Sequence, residues 1–224
     1  MPNKKDPKQN ILDISASLIA RKGFAAVGVR EIAKKSKVNI SMISYYFGGK
    51  TGILKAINEK YFQFIGDALH EILNEKSSAE IELKKVIRRL VRLMSEKEDL
   101  CRVAIIEMPF DVPEIAEFKL SLVKQNLQFV GKKLHEGFKI KDRTMHIIIA
   151  HAFMSLIYSN FLFGKMNNKA TGIILDEKFY DKYSDIITTI FLNGINGIKT
   201  KIERKEHTPP TPSNRGEKRT RSLL

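Results

Sequence analysis

The sequence predicts an all-α protein of about nine helices, with a compact three-helix unit at the N-terminus and a larger helical body behind it. Three observations carry this. Apolar residues recur at helical spacing almost throughout, and no segment alternates apolar and polar residues as a half-buried strand does. Helix-start chemistry recurs along the chain, at Asp6-Pro7, Asn39, Ser77-Ser78-Ala79-Glu80, Pro113 and Asp142. The charge is unevenly spread. The 224-residue chain has a formal net charge of +14. Residues 1–50 hold ten Lys/Arg against three acids, residues 199–224 hold eight against three, and the stretch between is nearly balanced. A basic head, a neutral body and a basic tail suggest an anionic partner, either nucleic acid or a membrane surface.

Taken in order, the first helix is capped by Asp6, accepts Pro7 in its first turn, and turns Ile11, Leu12, Ser15, Leu18 and Ile19 inward before Gly23 ends it. A short second helix, about 29–36, buries Ile32 and Ala33. A third, about 40–47, has Asn39 as its cap. A long fourth, 50–74, carries Ile53, Leu54, Ile57, Tyr61, Phe64, Ile65 and Leu69. Ser77-Ser78-Ala79-Glu80 reads as a capping box opening a fifth helix with Val86, Ile87, Leu90 and Leu93. A sixth spans Asp99 to Met108 and stops at Pro109. A seventh runs from Pro113 to about Gly137. Asp142 caps a very apolar eighth that ends near Phe163, and residues 165–176 read as a loop. The ninth, about 177–203, carries Tyr183, Ile186, Ile187, Ile190, Phe191 and Ile198. The end, 206–224, is basic and proline-containing, has little to bury, and reads as a disordered tail.

Several function classes fall away. Cys101 is the single cysteine, which rules out an internal disulfide or a cysteine-based zinc site and points to a reducing compartment, the cytoplasm. His146 and His151 are five apart, which is not the same-face spacing of paired metal ligands. They read as satisfied structural histidines. No catalytic triad or dinucleotide fingerprint is present, so neither enzyme chemistry nor a cofactor is expected. Residues 145–164 are long enough to span a bilayer, but His151 and Asn160 interrupt them; a core or interface helix is the better reading. Gly49-Lys50-Thr51 matches the end of a phosphate-binding P-loop. The first glycine of that motif would fall on Ser44, however, and its interior would be Tyr45, Tyr46, Phe47 and Gly48. Three aromatics cannot curl backbone tightly around phosphates.

The same residues make better sense as a helix. At 100° per residue Ile43 and Phe47 share an inner face, Ile40 and Tyr46 flank it, and Ser41 and Tyr45 point the other way. Two short helices joined by the turn Lys37-Val38 form a helix-turn-helix, whose second helix enters the major groove. Residues 11–57 resemble the DNA-binding domain of the TetR family of transcriptional repressors. The resemblance rests on Ile11-Leu12, Gly23-Phe24, Arg30-Glu31-Ile32-Ala33, Val38-Asn39 and Tyr45-Tyr46-Phe47-Gly48 followed by Lys50. Gly28, Ser15, Ser36 and Lys37 depart from the family's usual Thr/Ser, alanines and turn glycine.

The resemblance implies a DNA-binding domain over 6–50, a helical effector-binding and dimerisation domain over 51–205, and a sequence-specific regulator, most simply a repressor released by a small, mostly apolar effector. Phosphate contacts are expected from Tyr46, Lys50, Lys37 and Arg30. Base contacts are expected from Ser41, Met42, Ser44, Tyr45 and Ile40, with Asn39 at the start of the helix. Residues 40–47 contain no Arg, Lys, Gln or Asn, so no bidentate base pairing is available and the operator cannot be read from them. A homodimer on a near-palindromic DNA site is implied, with Tyr158, Ile186, Ile190, Gly194 and Gly197 as interface candidates. Met94, Met108, Phe110, Phe129, Met145, Phe153, Met154 and Phe161 are candidates to line the effector pocket. An all-helical enzyme and a basic protein on anionic membranes are the alternatives.

Overall fold

The structure, a computed structural model, describes residues 6–73, 75, 77–107 and 112–207. These form nine helices and no strand: α1 (Pro7–Lys22), α2 (Val29–Ser36), α3 (Ile40–Phe47), α4 (Lys50–Leu73), α5 (Ala79–Glu96), α6 (Glu98–Ile106), α7 (Pro113–Phe138), α8 (Arg143–Thr171) and α9 (Glu177–His207).

The caps follow the local chemistry. The Asp6 carboxylate accepts from Lys8 N at 3.1 Å, Asn39 Oδ1 from Ser41 N at 3.0 Å and Asp142 Oδ1 from Met145 N at 2.7 Å. Gly28 offers α2 no side-chain cap. Four expectations are corrected. The cap of α5 is Ser78, not Ser77, so the third helical residue is Ile81 and the reciprocal glutamate of a capping box is missing. Helix α6 begins at Glu98 and ends at Ile106; Met108 and Pro109, its expected end, lie outside the described residues. Helix α8 does not end near Phe163. It continues through Asn167-Asn168 to Thr171, where Gly172, at φ 71°, caps it. The expected loop therefore shrinks to a few residues. Helix α9 extends to His207, past the expected start of the tail, and residues 208–224 lie outside the described residues.

Helices α1–α3 form a head around Ile11, Ile19, Ile32 and Ile43, all completely buried. Asn10 Nδ2 donates to Ser36 O at 2.9 Å, tying α1 to the C-terminus of α2. Helix α4 leaves the head and enters the body. Its Ile53, Leu54 and Ile57 are fully buried, and one hydrophobic cluster runs without a break from Ile11 in α1 to Ile195 in α9. Helix α6 packs on both α1 and α4, giving the body a second contact with the head. Arg88–Asp185 and Arg92–Glu177 ion pairs stitch α5 to α9. The stretch Arg143–Gly164, mean hydropathy 1.6, is long and apolar enough to cross a membrane, but it packs against α5, α6, α7 and α9 and contributes Ile149, Ile157 and Phe161 to the core.

Candidate nucleic-acid interface and effector pocket

Helix α3 is held by its buried Ile43 and by a break on its C-terminal side. Gly48 and Gly49 adopt φ 70° and 119°, conformations that side chains resist. One turn into α4, Gly52 does something the sequence reading missed: a Cβ there would lie 1.6 Å from Phe47 O. Only glycine lets the end of α3 lie flat on α4. The signal was available, since a glycine inside a helix costs about 1 kcal/mol relative to alanine and asks for a reason.

What α3 presents outward is narrower than expected. Ile40, Ser41 and Ser44 are exposed, and Tyr45 is 83% exposed, with its ring edge-on to Tyr46 at 5.1 Å. Met42 and Tyr46 are half-buried and pack against the core. An aromatic ring held so far into water is unfavourable unless something covers it. Arg30 and Lys37 are exposed on the same small unit. Lys37 occupies the left-handed region at φ 57°, ψ 42°, so the turn between α2 and α3 accepts a side chain where glycine would sit without strain. Lys50 has a partner inside the protein. Its Nζ donates to Phe24 O at 2.9 Å and lies 4.3 Å above the Phe24 ring. That ammonium staples α4 to the turn after α1 and keeps two further N–H donors.

The body contains an elongated cavity of about 310 Å3, bounded by α4, α5, α7, α8 and α9. Its walls are apolar: Ile65, Leu83, Val86, Leu90, Leu127 and Phe191 are typical. Of the expected pocket residues, Met94, Phe153 and Met154 line it. Met145 and Phe161 do not. Met145 packs on the core beside it, and Phe161 stacks on Tyr180 at 5.4 Å. Met108, Phe110 and the Phe129 side chain lie outside the described residues. Tyr158, expected at a dimer interface, faces inward and lines the cavity, while Ile186, Ile190, Gly194 and Gly197 are exposed on α9.

Sequence reading missed the cavity's polar groups. Lys133 Nζ meets Glu82 Oε2 at 3.0 Å, and Tyr61 and Tyr158 share a hydroxyl–hydroxyl bond of 2.7 Å. Burial pushes the Tyr61 hydroxyl well above its ordinary pKa and Tyr158 up to about 12. Nothing in one-dimensional spacing links residues 97 apart. His151 lines the cavity and is exposed, so it is not the satisfied core histidine expected; His146 is, with Nε2 2.7 Å from Ile140 O. Among the described residues no group of three or more His, Cys, Asp or Glu could hold a metal ion.

Cavity and head are connected through buried groups. Lys119 of α7 is 95% buried, since only 5% of it is exposed, and its Nζ donates to Ala104 O at 3.0 Å and to Glu107 O. It therefore caps the last carbonyls of α6, the helix that packs on α1. Desolvation lowers its pKa to about 8, partly offset by Glu107. Helix α4 is the second link, carrying Tyr61, Phe62, Ile65 and Leu69 in the cavity wall and Lys50 in the head.

Comparison with known proteins agrees with this architecture. Residues 11–57 match the family model described as bacterial regulatory proteins, tetR family. The chain is 25% identical over 199 residues to the fatty acid metabolism regulator protein of Bacillus subtilis, spanning 88% of this chain and 99% of that one. It is 26% identical over 141 residues to the probable HTH-type transcriptional regulator YttP of the same organism, covering 62% and 68%. Among solved structures, the transcriptional regulator FadR from Bacillus subtilis in complex with stearoyl-CoA superposes with a TM-score of 0.66 at 23% identity, covering 83% of this chain and 98% of that one. The fatty acid degradation regulator FadR from Bacillus halodurans gives 0.67 at 19%, covering 86% and 97%. An outward helix with an uncovered tyrosine, set on a unit whose sequence over residues 11–57 matches the tetR family model and followed by a body with the fold of those solved regulators, leads to one conclusion: this chain is a DNA-binding transcriptional regulator whose DNA-binding unit is of the tetR type.

Proposed function

We propose that this regulator is a cytoplasmic, non-enzymatic repressor that binds a near-palindromic operator as a homodimer and leaves it when an amphiphile with an anionic head and an apolar chain enters the body cavity. The observation that carries the reading is the cavity itself. It is long and apolar, contains one ion pair, and is walled in part by the helix that also runs into the head. Fatty-acid regulators among its relatives, one solved with stearoyl-CoA, support the chemistry. By volume the cavity holds a shorter chain: at ~30 Å3 per methylene, about the space of a water molecule, 310 Å3 takes roughly ten. Lys133, the more exposed member of that pair, is the cation an anionic ligand group would meet. On the surface, α9 exposes Ile186, Ile190, Gly194 and Gly197 and α8 exposes Ile147, Ile148, Phe163 and Met166, apolar groups suited to a four-helix contact with a second copy.

The domain boundary fits this mechanism at Lys50, where α4 is stapled to the head. A ligand that favours one spacing of α4 and α7 shifts the two heads of a dimer relative to successive major grooves. The test is competition binding of the purified protein to its own upstream DNA against random DNA at two salt concentrations, without and with dodecanoyl-CoA. Preference for upstream DNA that survives high salt, and is lost with the thioester, is the expected result. Equal, salt-sensitive binding to both DNAs would remove the operator reading. Binding to anionic vesicles with no DNA preference would favour a membrane-surface role instead.

A further inference from the structure

The Tyr61–Tyr158 pair makes a demand that an unsubstituted hydrocarbon chain does not meet. Two phenols sharing one hydrogen bond use one proton, and each brings one. Among the described residues, neither hydroxyl makes a hydrogen bond other than the one they share. Both side chains line the cavity and both are held protonated by burial, so a donor is left pointing into apolar space. A buried donor without a partner is unfavourable, because it has given up its hydrogen bonds to water for nothing.

The pair also sits at a defined end. Helix α5 follows α4 directly and packs back along it, so Tyr61, twelve residues before the end of α4, lies toward the Met94 end of α5 and holds Tyr158 there with it. Glu82 and Lys133 mark the other end. Twelve residues of α5 separate Glu82 from Met94, about 18 Å of helix rise. The ionic end is the more open, with 37% of the Lys133 side chain exposed, against a buried Tyr61 and a half-buried Tyr158. The anionic head therefore belongs at Lys133 and the far tip of the chain at the tyrosines.

We propose that the effector carries a neutral oxygen group, a hydroxyl or carbonyl, near the far end of its chain, and that this oxygen accepts the spare proton of the Tyr61–Tyr158 pair. The inference rests on the cavity being the effector site. A hydroxyl suits the place best, because it accepts that proton and returns its own to a tyrosine oxygen. A carboxylate there would be an ion in apolar surroundings with one donor, which is unfavourable. Since Tyr61 belongs to α4, the same bond lets the tip of the ligand act on the helix that reaches the head.

The experiment is calorimetric titration of the full-length protein with dodecanoyl-CoA and 12-hydroxydodecanoyl-CoA, repeated on Y61F, Y158F and the double variant. Wild type should bind the hydroxylated thioester about fivefold more tightly, the range of one net hydrogen bond. Each single variant keeps one hydroxyl proton and should keep a preference. The double variant should lose it and favour the plain chain. Replacing both partners by apolar rings is close to neutral for folding, so the double variant remains a usable protein. Equal affinity of wild type for the two thioesters, or an undiminished preference in the double variant, overturns the inference while leaving the cavity as an acyl site. Failure of both thioesters to bind overturns both readings together, and binding of the plain chain alone overturns only the inference.

Discussion

In the head, the carbonyl of Phe47 presses on Gly52 so closely that a Cβ has no room, whereas in the body five helices stand around about 310 Å3 of unfilled space. The two regions share one continuous hydrophobic cluster, so the difference is not one of separate folding units. It reflects what each surface must hold still. An outward tyrosine can read DNA only if its helix has one position, and a groove contact tolerates little displacement. A cavity that takes up a ligand needs walls that already leave room, since filling a close-packed core costs strain. The head is therefore closely packed behind α3, and the body leaves room between its helices.

The sharpest way to break this contrast is Gly52→Ala. With Phe47 O 1.6 Å from the new Cβ, α3 has to leave α4, and we expect a loss of about 3 kcal/mol or more together with DNA binding. Thermal denaturation and operator titration measure the two. The opposite change in the body, Val86→Phe, adds a ring to empty space. It should raise stability by about 1 kcal/mol and abolish acyl-CoA binding while leaving operator affinity intact, giving a repressor that no longer responds.

Two buried serines sharpen the view of the head. Ser15 Oγ and Ser36 Oγ are enclosed without a hydrogen-bond partner, so Ser15→Ala and Ser36→Ala should each stabilise by about 1 kcal/mol in urea denaturation. Lys119 tests the link between regions by pH. Its folded pKa, about 8, lies below its ordinary 10.5, so between these values the unfolded chain binds more protons and stability gains a rising contribution with pH. Tyr61, Tyr158 and Cys101 act the other way at higher pH, because their folded pKa values are raised. Subtracting the pH–stability curve of Lys119→Met from that of wild type isolates the rise, and a flat difference between pH 8 and 10 would mean that the Lys119 ammonium is not desolvated at the end of α6. The smallest effect is expected from Lys37→Gly. Relief of the left-handed backbone should stabilise by under about 1 kcal/mol, measured against a slightly weaker, less salt-dependent hold on DNA.

The sequence by itself determined the local chemistry: nine helices, the caps at Asp6, Asn39 and Asp142, the breaks at Gly23 and Gly48-Gly49, and the helix-turn-helix with Tyr45 outward. These are choices made within a few residues, by hydrogen bonds that a cap supplies or a backbone angle only glycine adopts freely. The tertiary structure alone decided which apolar residues face a cavity and which fill a core. Met94 and Met145 look alike in sequence, and only their neighbours on other helices separate them. The same is true of Tyr158, whose helix offers faces for both a partner copy and the interior, and which turns inward to reach Tyr61, 97 residues away. Lys50 shows the same division. A lysine at a helix N-terminus has a local claim on phosphate, while the Phe24 carbonyl that accepts a hydrogen bond from it arrives from another part of the chain. Apolar spacing says that a side chain will be buried; packing across helices says against what.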